Sequence, residues 1–109
     1  VFDVRFLPNP YYVEELRQLT GEDQSVRDYV MQGGTCAQFL DKLYDMMDFL
    51  LPNYINEGKN QLVVAVGCTG GKHRSVTLAN ELYKRLSGCN DYGLKIEHRD
   101  IGKDALRGK

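Results

Sequence analysis

The sequence predicts an α/β fold: a single small domain with a mostly parallel sheet flanked by helices, and a glycine-rich anion-binding loop between the central strand and a helix. Two observations carry this prediction. The run from Leu62 to Val66 is apolar without interruption, as in a parallel strand buried on both faces. Strand-like and helical segments also alternate along the chain, the order that places helices on the faces of a parallel sheet.

Each element before the central strand has its own local signal. Residues 1–7 alternate and are rich in β-branched and aromatic types, which predicts a first strand that the prolines of "PNP" end. A short helix is expected over 11–19, ending at "TG", and a second from Asp23 to about 33. The spacing of apolar residues predicts the longest helix from Thr35, with Pro52 bending or ending it.

Two further elements are predicted after the central strand. Apolar residues at helical spacing indicate an amphipathic helix over 75–86, which "SGCNDYG" interrupts. Residues 94–98 read as a last short strand. The tail that follows is expected to be loose or weakly helical.

The composition excludes several classes of protein. With 109 residues, 42% hydrophobic residues and a net charge of -1, the chain is expected to be one globular domain that does not coat nucleic acid by bulk charge. The three cysteines lack C-x-x-C spacing, which predicts no disulfide framework, no metal site and a cytoplasmic setting. No apolar run approaches the ~20 residues that cross a bilayer, so no membrane is expected. The start at Val1 predicts a fragment of a longer chain.

The loop after the central strand concentrates glycines and basic residues in "GCTGGKHR". Gly70 and Gly71 let the backbone curl, and a strand-to-helix turn directs backbone N–H groups toward the positive end of the helix dipole. With the cations that follow, this favours an anion site. The alternative is a tight turn with solvated basic side chains.

The loop fits one catalytic motif and departs from another. Lys72 is followed by His73 instead of Ser or Thr, so the loop is not G-x-x-x-x-G-K-[ST]. Cys68, Arg74 and Ser75 do form C-x-x-x-x-x-R-S, which resembles the loop of cysteine-dependent phosphatases. There the cysteine attacks phosphorus, the arginine holds the phosphoryl oxygens and the hydroxyl aids the leaving thiolate. Three residues could supply the general acid of such an enzyme: Asp3, Asp91 and Asp100.

Longer strings carry a second resemblance. "DVRFLPNP", the "TG" of residues 20–21, "GCTGGKHRS" and the late "HRD" resemble, in order and spacing, the C-terminal domain of the RapZ/YvcJ family of RNase adapter or nucleotide-binding proteins. The resemblance covers nearly the whole of residues 1–109. It implies a regulatory domain rather than an enzyme. It also implies that ATP or GTP binds only to an N-terminal domain absent from this sequence, so that these residues hold no cofactor.

The resemblance further implies a ligand, a phosphorylated amino sugar such as glucosamine-6-phosphate. A phosphate in the loop and a carboxylate facing an ammonium group suit that molecule. In this reading Cys68 is a wall of the pocket and not a nucleophile. The binding residues that it implies are Asp3, Cys68, Thr69, Gly70, Gly71, Lys72, His73 and Arg74.

Macromolecular partners are implied as well. Some members of the family bind small regulatory RNA, and a ribonuclease or a two-component protein is a further expected partner. Homo-oligomers are compatible with the sequence. The basic residues that could meet RNA are Lys72, Arg74, Arg99, Lys103, Arg107 and Lys109.

Overall fold

The computed structural model describes residues 1–59, 61–88 and 93–99. Within them the chain forms an α/β domain with two short strands, one 3-10 turn and four α-helices. In chain order these are β1 (Phe2–Asp3), the 3-10 turn (Pro10–Tyr12), α1 (Glu14–Arg17), α2 (Gln24–Met31), α3 (Thr35–Asn56), β2 (Val66–Gly67) and α4 (Arg74–Leu86).

The two strands form a parallel pair in which Phe2 lies opposite Val66 and Asp3 opposite Gly67. The pair is much shorter than the predicted strands over 1–7 and 62–66. At the first strand the reason is local: the backbone N–H of Leu7 turns back to the carbonyl of Val4 at 3.2 Å, which ends the extended conformation. The parallel pairing is therefore confirmed and its extent is reduced. The prediction that the run 62–66 is buried on both faces is wrong, because Leu62 and Val63 are exposed.

The predicted last strand is wrong: residues 94–98 form no strand and pair with neither β1 nor β2 in the described part of the chain. The segment instead packs against the helical side of the domain. Leu94 contacts the core, and Nε2 of His98 lies 2.9 Å from Oδ1 of Asn80 on α4. A side-chain contact with α4 thus takes the place of a third strand.

The first two helices differ in detail from their predictions. Asn9 accepts a hydrogen bond from the backbone N–H of Tyr11 at 3.1 Å, so the chain makes a 3-10 turn before a one-turn α1. Asp23 stands at the start of α2, but its carboxylate accepts from the N–H of Thr20 and stabilises the preceding turn instead of the helix. After α2, Gly33 and Gly34 adopt positive φ angles.

The longest helix passes through its proline. Thr35 begins α3, and the helix continues beyond Pro52 to Asn56. Pro52 therefore does not end the helix, and that part of the prediction is wrong. A proline in a helix removes one backbone hydrogen bond, here toward residue 48. The side chain of Asn53 donates to the carbonyl of Phe49 at 2.8 Å and supports the same turn.

The core lies between the helices and the strand pair. On α3 the buried residues Cys36, Leu40, Leu43 and Met47 recur at intervals of three and four, so they form one face that packs against α4. The remaining members of the cluster are Val4, Leu7, Leu16, Val26, Val30, Leu78, Leu82 and Leu86. This packing fixes the position of the loop that enters α4.

Candidate functional site

The candidate site lies where both strands end. Because β1 and β2 are parallel, their carboxyl ends lie at one edge, and Asp3 faces the start of the loop 68–73. Ligands of α/β folds characteristically bind at this edge. An open depression of about 280 Å³ is found here, and its lining residues are Val1, Phe2, Asp3, Arg5, Gly67, Cys68 and Thr69.

The loop turns sharply at two glycines. Gly70 and Gly71 have φ angles of 81° and 62°, a conformation that a residue with a Cβ rarely adopts. The turn brings the chain from β2 into α4 within six residues, and His73, the residue before the helix, makes no side-chain cap. The first N–H groups of α4 therefore depend on acceptors from outside the helix.

Cys68 provides one such acceptor. The backbone N–H of Ser75 donates to its sulfur at 3.3 Å, and the thiol donates to the hydroxyl oxygen of Ser75 at 3.4 Å. The side chain is half-buried. The cysteine thus lies against the N-terminus of α4 with the hydroxyl of Ser75 beside it, which is the neighbourhood that the phosphatase motif requires.

Arg74 is buried, with only 4% of its surface exposed. Its Nη1 donates to the carbonyl of Arg5 at 2.6 Å and to that of Leu7 at 3.4 Å, so this end of the guanidinium holds the turn after β1. Its Nε is buried without a hydrogen-bond partner among the described residues. A buried donor without a partner is destabilising, which makes this nitrogen a candidate donor to a bound ligand.

The two residues before Arg74 are also buried, Lys72 with 8% exposed and His73 with 5%. The carbonyl of Lys72 accepts from the backbone N–H of Gly21 at 2.9 Å, which attaches the loop to the turn between α1 and α2. Nε2 of His73 lies 3.1 Å from the carbonyl of Arg17, so this nitrogen carries the proton and donates. Burial lowers the pKa of His73 below its ordinary 6.5, against the opposing effect of its hydrogen bonds to backbone carbonyls.

Gly21 is packed tightly against the loop and α4. A Cβ at this position would lie 2.6 Å from the carbonyl oxygen of His73 and 2.6 Å from the backbone nitrogen of Thr77. Only a residue without a side chain can approach so closely. The "TG" of the sequence is therefore a contact point for the loop, and the prediction that it ends a helix is wrong, because α1 already ends at Arg17.

Asp3 lies at the rim of the depression and is paired. Nε and Nη2 of Arg5 donate to its Oδ2 at 2.9 and 2.7 Å, and Nε and the backbone N–H of Arg5 donate to its Oδ1, each at 3.0 Å. The side-chain hydrogen bond from Arg5 lowers the pKa of Asp3, with smaller contributions in the same direction from the charges of Arg5 and Arg74. The carboxyl group is accordingly ionised and cannot donate a proton near neutral pH.

The structure brings together some of the predicted site residues and not others. Asp3, Cys68 and Thr69 line the depression, whereas the loop residues Lys72 and His73 are buried and do not line it. Among the basic residues predicted to meet RNA, Arg99 lies at the end of the described segment 93–99, while Lys103, Arg107 and Lys109 lie outside the described residues, as do the candidate acids Asp91 and Asp100.

Arg5 and Gly21 were not predicted as site residues. Because Asp3 and Arg5 share one face of an extended chain, a pairing of Asp3 with Arg5 or with the loop cations was expected, and the pair with Arg5 is the one found. The close approach of Gly21 has no local signal, since its contacts come from residues more than fifty positions away.

No group of three His, Cys, Asp or Glu side chains that could hold a metal ion occurs in the described residues. Within residues 1–59, 61–88 and 93–99, no helix combines the length and apolarity that crossing a bilayer demands.

Comparison with known proteins identifies the family. A family model for the RapZ C-terminal domain matches residues 1–102. This chain belongs to that family. As a RapZ C-terminal domain it is similar over all 109 residues, with 77% identity, to a nucleotide-binding protein of Agathobacter rectalis, of which it covers 38%.

Two further relatives of the RapZ C-terminal domain are more distant. A nucleotide-binding protein of Clostridium botulinum is 57% identical over the whole chain, which covers 37% of that protein. A nucleotide-binding protein of Thermoanaerobacter sp. is 62% identical over 104 residues, or 95% of the chain and 36% of the relative. The chain thus spans little more than a third of the length of these relatives.

Proposed function

We propose that this domain is a metabolite-sensing module that binds a phosphorylated amino sugar, such as glucosamine-6-phosphate, at the loop 68–73. One observation carries the proposal: the buried Nε of Arg74 has no hydrogen-bond partner in the described residues, directly after a glycine loop. A phosphate oxygen is a suitable acceptor, because guanidinium and phosphate form strong charge-assisted hydrogen bonds.

The loop supplies the rest of the phosphate site in this proposal. The start of α4, where His73 makes no side-chain cap, and the positive end of the helix dipole favour an anion. Gly70 leaves space beside the backbone, since no atom lies within 4 Å of a Cβ built there. The phosphate would therefore lie against backbone N–H groups with the Nε edge of Arg74 below it.

The carboxylate of Asp3 supports the amino sugar as the ligand. It lies opposite Gly67, at the same edge as the loop, and is ionised. An ammonium group about one sugar ring away from the phosphate would meet it. The depression of about 280 Å³ between Asp3 and Cys68 has room for a single ring.

The test is calorimetric titration of the intact protein with glucosamine-6-phosphate and with inorganic phosphate. Arg74→Ala removes the Nε donor and should weaken binding by about 2 to 3 kcal/mol, roughly a hundredfold. Arg85→Ala, which removes an arginine outside the site, is the matched control and should bind like the unaltered protein. Absence of binding heat in the unaltered protein would refute the proposal, and a thermal melt of each variant separates lost binding from lost folding.

A cysteine-dependent phosphatase is a second candidate, which the contact between Cys68 and Ser75 favours. In that mechanism the sulfur would attack phosphorus and the hydroxyl of Ser75 would stabilise the departing thiolate. Asp3 is an unsuitable general acid because Arg5 keeps it ionised. Turnover of a chromogenic phosphate ester that Cys68→Ser abolishes would support the enzyme. No turnover across the pH range would exclude it.

The nucleotide that gives the relatives their name is a separate matter. Residues 1–109 contain no G-x-x-x-x-G-K-[ST] loop, and the relatives are almost three times as long as the chain. We therefore propose that nucleotide binding belongs to the part of those proteins outside this domain. Titration of the isolated domain with ATP and GTP should give no heat, and measurable binding would contradict this assignment.

A further inference from the structure

The cation that pairs with Asp3 lies inside the candidate site. Arg5 lines the same depression as Cys68 and Thr69, and its guanidinium donates to both carboxylate oxygens of Asp3. The ammonium group of an amino sugar would need these same oxygens. A ligand of that kind therefore competes with a residue of the protein itself.

The side chain of Arg5 can leave Asp3 while the backbone of Arg5 stays in place. Its backbone is fixed, because its carbonyl accepts from Nη1 of Arg74 at 2.6 Å and the neighbouring Val4 N–H donates to Gly67 at 2.8 Å. Its side chain is free to rotate, since 65% of the side chain of Arg5 and 56% of that of Asp3 are exposed. Exposed ion pairs contribute little to stability, so opening this one is easy.

We propose that Arg5 determines ligand selectivity: it neutralises Asp3 in the empty site and gives way only to a ligand that brings its own cationic group. This inference rests on the proposed function. An ammonium group can replace the guanidinium because charge and hydrogen-bond donors are conserved in the exchange. A hydroxyl group brings no charge, so a neutral sugar phosphate leaves the pair between Arg5 and Asp3 closed.

The two ligands that isolate this effect are glucosamine-6-phosphate and glucose-6-phosphate, which differ in one amino group. Any contribution of Arg5 to phosphate binding is common to both and cancels in the ratio of their dissociation constants. The ratio therefore reports only what happens at Asp3.

The experiment is calorimetric titration of the intact protein and three variants with both sugars. In Arg5→Met, Asp3 has no internal partner, so the preference for glucosamine-6-phosphate should increase by about tenfold. In Asp3→Asn the preference should disappear. Arg85→Met removes the same charge from an exposed pair with Asp41 outside the site and should leave the ratio unchanged.

The outcomes separate this inference from the proposed function. If the unaltered protein binds neither sugar phosphate, both fail. If it binds them and Arg5→Met leaves the ratio unchanged or lowers it, only the selectivity role of Arg5 is refuted. Because the side chain of Arg5 is exposed, the variant is expected to fold.

A spectroscopic readout tests the exchange directly. The Nε–Hε signal of Arg5 in a nitrogen–proton correlation spectrum reports its hydrogen bond to Asp3. Glucosamine-6-phosphate should displace this signal, and glucose-6-phosphate at equal saturation should leave it nearly in place. Equal displacement by both sugars would overturn the proposal.

Discussion

Nη1 of Arg74 lies 2.6 Å from the carbonyl oxygen of Arg5 and donates a hydrogen bond to it, so the first residue of α4 is tied to the turn that follows β1. The bond joins the two parts of the chain that form the candidate site. Arg74 is accordingly a structural residue at Nη1 and a candidate ligand at Nε.

The structural part of this role predicts a loss of stability on a conservative change. Arg74→Lys keeps the charge but cannot reproduce the two bonds to the carbonyls of Arg5 and Leu7. Unfolding in urea should show a loss of about 1.5 to 3 kcal/mol. Arg85→Lys, in an exposed pair with Asp41, should stay within about 0.5 kcal/mol of the unaltered protein. Equal stability of the two variants would contradict the anchoring role of Arg74.

Gly21→Ala should both destabilise the domain and weaken phosphate binding. The new methyl group would lie 2.6 Å from backbone atoms of His73 and Thr77, which cannot move without displacing the start of α4. We expect a loss of about 1 to 3 kcal/mol in urea unfolding. Gly88→Ala is the control, because no described atom lies within 4 Å of a Cβ built there. A Gly21→Ala protein as stable as this control would disprove the close approach.

Stability should fall on acidification in the range where His73 titrates. Burial holds the pKa of His73 below 6.5, so as the pH falls the unfolded chain binds the proton first. Neutral His73 makes its full contribution to the free energy of unfolding above pH 6.5. This contribution is lost as the pH falls toward the lowered pKa. Asp3 and Glu81 have lowered pKa values with ordinary values of 3.8 and 4.5, so their contributions are lost only in more acidic solution.

The measurement is the urea midpoint at several pH values between about 7.5 and 5. His73→Gln keeps a donor for the carbonyl of Arg17 but does not titrate, so its profile should be flatter over this range. An unaltered slope in this variant would show that His73 is not the responsible group.

The two described cysteines should differ in reactivity. Cys36 is fully buried on α3, and burial raises its pKa to about 11, whereas Cys68 is half-buried at the rim of the depression. Iodoacetamide near pH 8 should therefore modify Cys68 and leave Cys36 intact until the protein unfolds. Peptide mass spectrometry gives the site, Cys68→Ser should remove its modification, and inorganic phosphate should slow it. Equal modification of both cysteines in the folded protein would contradict this prediction.

The helices were the most predictable part of the fold. The apolar positions of α3 and α4 recur over several turns, and this period is a property of the local sequence. The extent of the strands was not predictable in the same way. An alternating segment such as 94–98 becomes a strand only when a free edge lies beside it, and here the contact of His98 with Asn80 takes that place.

The proximity of Asp3 to the glycine loop was predictable, and the orientation of the side chains of the candidate site was not. Parallel strands bring their carboxyl ends together, which places Asp3 beside the glycine loop even when the strands are short. The burial of Arg74 depends on carbonyl groups of Arg5 and Leu7, which are distant in sequence. No pattern within the loop contains that information.

The register of the strand pair also has a consequence for folding. Asp3 and Gly67 become neighbours only when residues 4–66 have been closed into a loop, and long closures are slow because their entropy must be overcome before the contact forms. α3 needs no such closure, since its hydrogen bonds are local. During synthesis β1 therefore remains unpaired until the three helices between it and β2 have been made. In the proposed function, a chain that binds the anion has already completed this slow step, so ligand binding would distinguish fully folded molecules from partly folded ones.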